Sequence, residues 1–177
     1  MSPESAVLMA QYNRWMNRQL FEAAAALPED EVTRDKGAFF GSLFHTLNHI
    51  AAADIIWLQR LVSVSPHQSQ IQALKAFPQP NSLRFTVAPQ LSELWVVRQD
   101  LDAFTMDWAE SLTQAQLASP LVYRNMAGDA HAKNLGALAL HFFNHQTHHR
   151  GQATTLLSQA GVDVGVTDLL ALIPDLA

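Results

Sequence analysis

His141-Phe142-Phe143-Asn144-His145-Gln146-Thr147-His148-His149-Arg150-Gly151-Gln152 holds four of the chain's eight histidines. It lies within a longer stretch, from about Asn134 to Ala160, whose apolar residues keep helical spacing and which Gly161 closes as a C-cap. Successive residues on a helix rotate by about 100°. With His141 as origin, His145 lies near ~40°, His149 near ~80°, His148 near ~340° and Gln152 near ~20°. All five share a band about 100° wide. Leu138, Phe142, Leu156 and Leu157 supply core surface beside it. Burying several imidazoles without partners costs a few kcal/mol, and a metal ion would offset that cost. Spacing allows the ligand pairs His141/His145, His145/His149, His145/His148 and His141/His148. A third histidine from another helix would complete a three-ligand site with an open position, the kind that does chemistry rather than only holding structure together.

Working outward, three further long helices are expected. The first runs from about Pro3, whose missing N–H costs nothing at a helix start, to Leu27, with Leu8, Tyr12, Trp15, Met16 and Gln19 as its stripe. The second begins after Ser42 as N-cap and extends to about Val64 through Leu43, Leu47, Ile50, Ile55, Leu58 and Leu61; Ser65-Pro66 stops it. The third spans Val87 to Leu112 through Leu91, Leu94, Trp95, Leu101, Phe104 and Trp108. Between the second and third, a proline-rich connector from Pro66 to Pro89 carries one short helical turn near Ile71 to Phe77. Leu121 to Asn125 reads as a strand entering the turn Met126-Ala127-Gly128-Asp129, hence a short β-hairpin before the last long helix. A short final helix covers Thr167 to Ile173, ended by Pro174. The expected fold is therefore all-α: a four-helix bundle with long connectors, in one domain over residues 1–177.

Composition narrows the function. The chain has 177 residues, 49% hydrophobic content and a formal net charge of −5, which argues against a nucleic-acid binder needing a basic face. No apolar run approaches the ~20 residues needed to span a bilayer, and the N-terminus lacks a secretion-signal pattern. A cytoplasmic location is expected, with no membrane partner. There is no cysteine, so a thiolate metal site is excluded and any reactive thiol must come from a small molecule.

The second helix offers His45 and His49, four residues apart. His49 is preferred because it sits one turn deeper in the apolar run. His67 and His131, in connector sequence, read as surface or turn residues. The zincin pattern His-Glu-x-x-His is absent. Around the cluster, Gln152 lies on the ligand face, and Asn17 and Asp54 are candidates to orient an imidazole N–H. Arg60 lies about 20° from His49 around its helix and can meet an anionic substrate. Arg150 points away from the cluster, with surface pairing as its default.

These residues carry a resemblance over nearly the whole chain. Tyr12-Asn13-Arg14-Trp15-Met16-Asn17, the segment Thr46-Leu47-Asn48-His49-Ile50 followed by Asp54, Trp57 and Arg60, and the segment Phe143 to Gln152 resemble the motifs of the DinB/YfiT-like family of four-helix-bundle metalloproteins. The resemblance implies a metal held by His49, His145 and His149, with His45, His141 and His148 outside the ligand set. It implies a divalent ion, zinc or nickel first, with iron or manganese as alternatives. It further implies a homodimer and a small-molecule substrate. Related members are transferases that use a low-molecular-weight thiol, or maleylpyruvate isomerases. The function expected is a metal-dependent thiol S-transferase or hydrolase acting on a small electrophile; the competing expectation is a non-catalytic metal-binding or stress-response module.

Overall fold

In the computed structural model, which describes residues 1–64 and 67–175, the long helices begin where capping chemistry directs. Helix α1 (Pro3–Ala25) opens with Pro3 behind Ser2, whose side chain accepts from the Ser5 backbone N–H while Ser5 returns the bond as a capping box. A short α2 (Glu29–Thr33), absent from the sequence reading, follows with three acidic residues in its first turn, where the helix dipole favours them. Ser42 caps α3 (Leu43–Leu61), which tightens into a 3-10 turn at Val62–Val64. Ser65-Pro66, the expected stop, lies outside the described residues. The connector forms α4 (Gln68–Ala73) and a 3-10 turn at Leu74–Ala76, close to the expected helical turn.

The third long helix, α5 (Leu91–Ser111), starts four residues later than the apolar pattern suggests. The N–H groups of Val87 and Ala88 both donate to the buried Asn48 side-chain oxygen on α3, so they are held outside the helix, and Pro89 follows. A second unforeseen helix, α6 (Gln114–Ala118), is capped by Thr113. Strands β1 (Pro120–Arg124) and β2 (Ala130–Asn134) pair antiparallel, Pro120 opposite Asn134 and Arg124 opposite Ala130, forming the expected hairpin. Helix α7 (Leu135–Gln159) is capped by Asn134 and closed by Gly161 at φ +81°. There the Val162 N–H reaches the Leu157 carbonyl, the wrap that a left-handed glycine permits. The last apolar stretch is a 3-10 turn at Leu169–Leu172 rather than an α-helix, with Leu170 and Ile173 exposed.

The four long helices pack α1 on α5, α1 on α7, α3 on α7 and α3 on α5. Consecutive long helices α1 and α3 therefore stand diagonally, as do α5 and α7. This arrangement sets α3 directly against α7. Large apolar side chains fill the middle, with Trp108 of α5 edge-on to Phe142 of α7 at 5.9 Å. The buried residues of α1 include Ala6, Ala10, Asn13, Asn17, Leu20 and Ala24; of the expected stripe Tyr12 and Met16 are buried, while Leu8, Trp15 and Gln19 are only part-buried. Small residues let α1 approach two neighbours closely, and its two asparagines serve a polar network described below.

Candidate metal centre

Because α3 and α7 are neighbours, His49 faces His145 and His149 across one seam. The Nε2 atom of His149 lies 3.2 Å from Nε2 of His49 and 3.1 Å from Nε2 of His145. Among the described residues, these three form the histidine and carboxylate cluster whose donor atoms all fall within 4.8 Å of one another. His49 and His149 are buried, and His145 is part-exposed. Of the pairs the spacing allowed on α7, the structure brings together His145/His149.

The outer nitrogens decide what the inner ones present. His49 Nδ1 donates to the Leu83 carbonyl oxygen at 2.8 Å, and His149 Nδ1 donates to Gln152 Oε1 at 2.8 Å. With the proton held on Nδ1, each neutral ring turns a bare Nε2 lone pair inward. Burial pulls the His49 pKa down to about 4, against the help of the Leu83 carbonyl. Burial, and then the neighbouring His149 and His49, pull His145 down to about 3. His149 is lowered by burial as well. All three are thus neutral at neutral pH. Two lone pairs facing each other at 3.2 Å, with no proton between them, repel unless a cation lies between. The donor set suits such a cation. Ligand nitrogens on a tetrahedral ion at about 2.0–2.1 Å stand ~3.3 Å apart, close to the spacing here. Three imidazoles, with no fourth histidine or carboxylate in the cluster among the described residues, leave a position open, and neutral imidazole suits zinc, nickel, copper and iron.

Phe40 covers the seam at one side, stacked on the His49 ring at 3.9 Å between centroids and edge-on to His149 at 5.5 Å. The Arg84 guanidinium lies over Phe40 and donates to the Phe39 carbonyl. The remaining histidines stay outside the convergence point. His45 is exposed, its Nδ1 2.8 Å from the Ser42 hydroxyl. His141 is exposed and edge-on to Trp57; His148 is exposed and edge-on to His149. His67 precedes α4 at the surface, as expected, whereas His131 lies on strand β2, part-buried against Tyr123, rather than in a turn.

Three expectations for supporting residues are corrected. Asp54 does not orient an imidazole: its carboxylate pairs with Arg98 at 2.5 Å in the bundle interior. Asn17 donates to Asp102 instead, at 2.9 Å. Arg150 is not a surface residue: it is 2% exposed, donates to Asn13 and Thr147, and lies over the Tyr12 ring. One step of 100° past His149 takes it from the α3 seam to the side facing α1. With Arg98 bridging Asp54 and Asp102, these residues form a buried network of two cations and two carboxylates fed by all four long helices. Of the suggested partners, only Gln152 touches a triad ring. The Leu83 carbonyl carries no side-chain signal in the sequence. Phe40 does carry one, as an aromatic residue just before the α3 cap.

An α-helical bundle with three convergent imidazoles on facing helices, open at one position, defines a class of protein with a site able to hold a divalent metal. The model of the DinB family matches residues 1–174, and the chain belongs to that family. It is similar to Protein DinB of Bacillus subtilis (strain 168), 25% identical over 165 residues, covering 92% of this chain and 90% of that protein. No helix among the described residues is long and apolar enough to cross a membrane.

Proposed function

We propose that the protein is a metal-dependent enzyme in which His49, His145 and His149 hold one divalent ion, zinc or nickel first, with iron and manganese as alternatives. The observation that carries this reading is the inward convergence of three Nε2 atoms, two of them, on His49 and His149, in rings whose outer nitrogens are already committed to acceptors. The ion supplies Lewis-acid activation of a nucleophile near neutral pH. The chain does the rest. Leu83 and Gln152 fix the tautomers of His49 and His149. Phe40 keeps water off the buried side. The part-exposed flank of His145 leaves the approach for reactants. With no cysteine in the chain, a transferred sulfur must belong to a low-molecular-weight thiol. The reaction favoured is attack of that thiol on a small electrophile: a carbon–sulfur bond forms, the leaving group departs and the thiol proton passes to solvent. Water in the thiol's place makes the same site a hydrolase. Family resemblance supports a homodimer, and the cysteine-free, acidic composition suits a cytoplasmic setting without nucleic-acid partners.

Elemental analysis and calorimetry on protein without a polyhistidine tag test the site. One ion per chain is expected. Single replacements His49→Ala, His145→Ala and His149→Ala should each abolish binding, whereas His141→Ala and His148→Ala should retain it; the reverse pattern would overturn the ligand set. Alkylating electrophiles are then assayed with several small thiols, with and without metal. Bound metal but no rate above background with any pair would favour a metal-binding or stress-response module without turnover.

A further inference from the structure

A second feature lies beside the triad, on the side where His145 is part-exposed. A groove of about 300 Å³ runs between α3, the hairpin and the start of α7, lined by Trp57, Tyr123, Lys133, Ala137, Leu138 and His141. Strand alternation builds one wall: Leu121 and Tyr123 of β1 share a face with their partners Lys133 and His131 of β2. Helix α3 builds the other, with Trp57 5.6 Å from Tyr123 between ring centroids. The Arg60 guanidinium sits over both rings, 4.9 Å from Trp57 and 5.3 Å from Tyr123. His141 joins this groove to the triad, edge-on to Trp57 at 4.9 Å and 6.0 Å from the His145 ring.

Charge makes the groove unusual. The chain as a whole is acidic, yet Lys133 in the lining and Arg60, which borders the groove by lying over two of its lining rings, form no ion pair with a carboxylate among the described residues. Arg60 is also half-buried, and burial pulls its pKa below the ordinary value. A desolvated guanidinium stacked on aromatic rings keeps its in-plane N–H fork free for planar anionic oxygens. The adjoining rings offer a flat apolar bed.

We propose that this groove binds the substrate: a small organic carboxylate with a flat apolar body, its carboxylate on Arg60 with Lys133 nearby, its body along Trp57 and Tyr123, and its reactive end directed past His141 toward the histidine triad. The assignment of the triad as the reaction centre rests on the function proposed above; binding in the groove does not require metal and is tested separately. Full-length, tag-free protein is titrated with hydrocinnamate and with its neutral amide, by calorimetry and by amide and indole chemical shifts, in metal-free and zinc-loaded forms. The carboxylate should bind roughly tenfold more tightly than the amide, with shifts gathered at Trp57, Tyr123 and His141. Arg60→Gln should erase that preference while leaving the amide's affinity unchanged, a pattern that misfolding cannot produce. Arg60→Lys should restore part of it, and Arg18→Gln on the far surface should change nothing. Equal affinities for the two probes, a preference that survives Arg60→Gln, or shifts clustered elsewhere would overturn the proposal. Groove binding in a protein that takes up none of zinc, nickel, iron or manganese would uphold the groove and refute the metal reading.

Discussion

Replacing Gln152 by Leu isolates one hydrogen bond at the candidate metal centre. The side-chain oxygen of Gln152 accepts from His149 Nδ1 at 2.8 Å and so keeps the His149 lone pair on the inward nitrogen. Leu is close in size and cannot accept. His149 is then free to carry its proton on Nε2, where it blocks a ligand, and part of the population must re-tautomerise before binding. Losing such an outer partner costs about 10–100-fold in metal affinity, or about 1.4–2.8 kcal/mol. Two structural facts place the loss toward the lower end. Gln152 is half-buried, so water can take over as acceptor. The second lock, on His49, uses the Leu83 backbone carbonyl and is untouched. The expected loss is therefore about tenfold. Gln152→Glu keeps the acceptor and adds a negative charge, so its affinity should at least equal the parent's. Competition for zinc against a chromophoric chelator at neutral pH reads both variants. Thermal unfolding of the metal-free proteins serves as control, since a half-exposed residue should shift stability by no more than about 0.5 kcal/mol. If both variants bind zinc within about twofold of the parent, Gln152 does not orient His149 and the tautomer reasoning fails.

Arg98, 1% exposed, bridges the buried carboxylates Asp54 and Asp102, so Arg98→Met should cost about 3–5 kcal/mol in denaturant unfolding; a loss under about 1 kcal/mol would mean the network is dispensable. Metal affinity should depend weakly on pH. Neutral imidazole is the binding form, and with His49 near 4 and His145 near 3 both stay neutral well below the ordinary 6.5. Between pH 7 and 5.5 zinc affinity should fall by less than about tenfold, against several hundredfold for three ordinary imidazoles, roughly; calorimetry at both pH values checks it. A Cβ on Gly136 would stand 2.9 Å from the Leu117 carbonyl oxygen, a backbone atom, so Gly136→Ala should destabilise by about 1–3 kcal/mol. Gly151→Ala, exposed on the same helix with nothing within 4 Å, should instead raise the melting temperature.

Much of this was legible along the chain because it depends on near neighbours. Ser42 before an apolar run, Asn134 ahead of α7 and Gly161 behind it act within a few residues of themselves, so the long helices and the hairpin followed from pattern. The start of α5 was missed because what holds Val87 and Ala88 is the side chain of Asn48, some forty residues away. Helices α2 and α6 are five residues each, too short to show a period. Arg150 was misjudged because a charged residue on a long helix is usually solvated; its buried partners, Asn13 and the Tyr12 ring, lie on α1.

By itself, the sequence determined that one helix carries His141, His145, His148 and His149 on a single band, since that follows from 3.6 residues per turn, and that no cysteine can share the work. It could not choose among the pairs on that band, because all are compatible with one helix. Tertiary structure decided this by placing α3 beside α7, which brings His49 to the His145/His149 end of the band and leaves His141 and His148 exposed. It also decided which nitrogen His49 and His149 present, because the acceptors that hold their outer protons are a backbone carbonyl at Leu83, thirty-four residues from His49, and Gln152. Helical periodicity is local, whereas convergence of lone pairs depends on which helices share a seam and on what fills the space behind each ring.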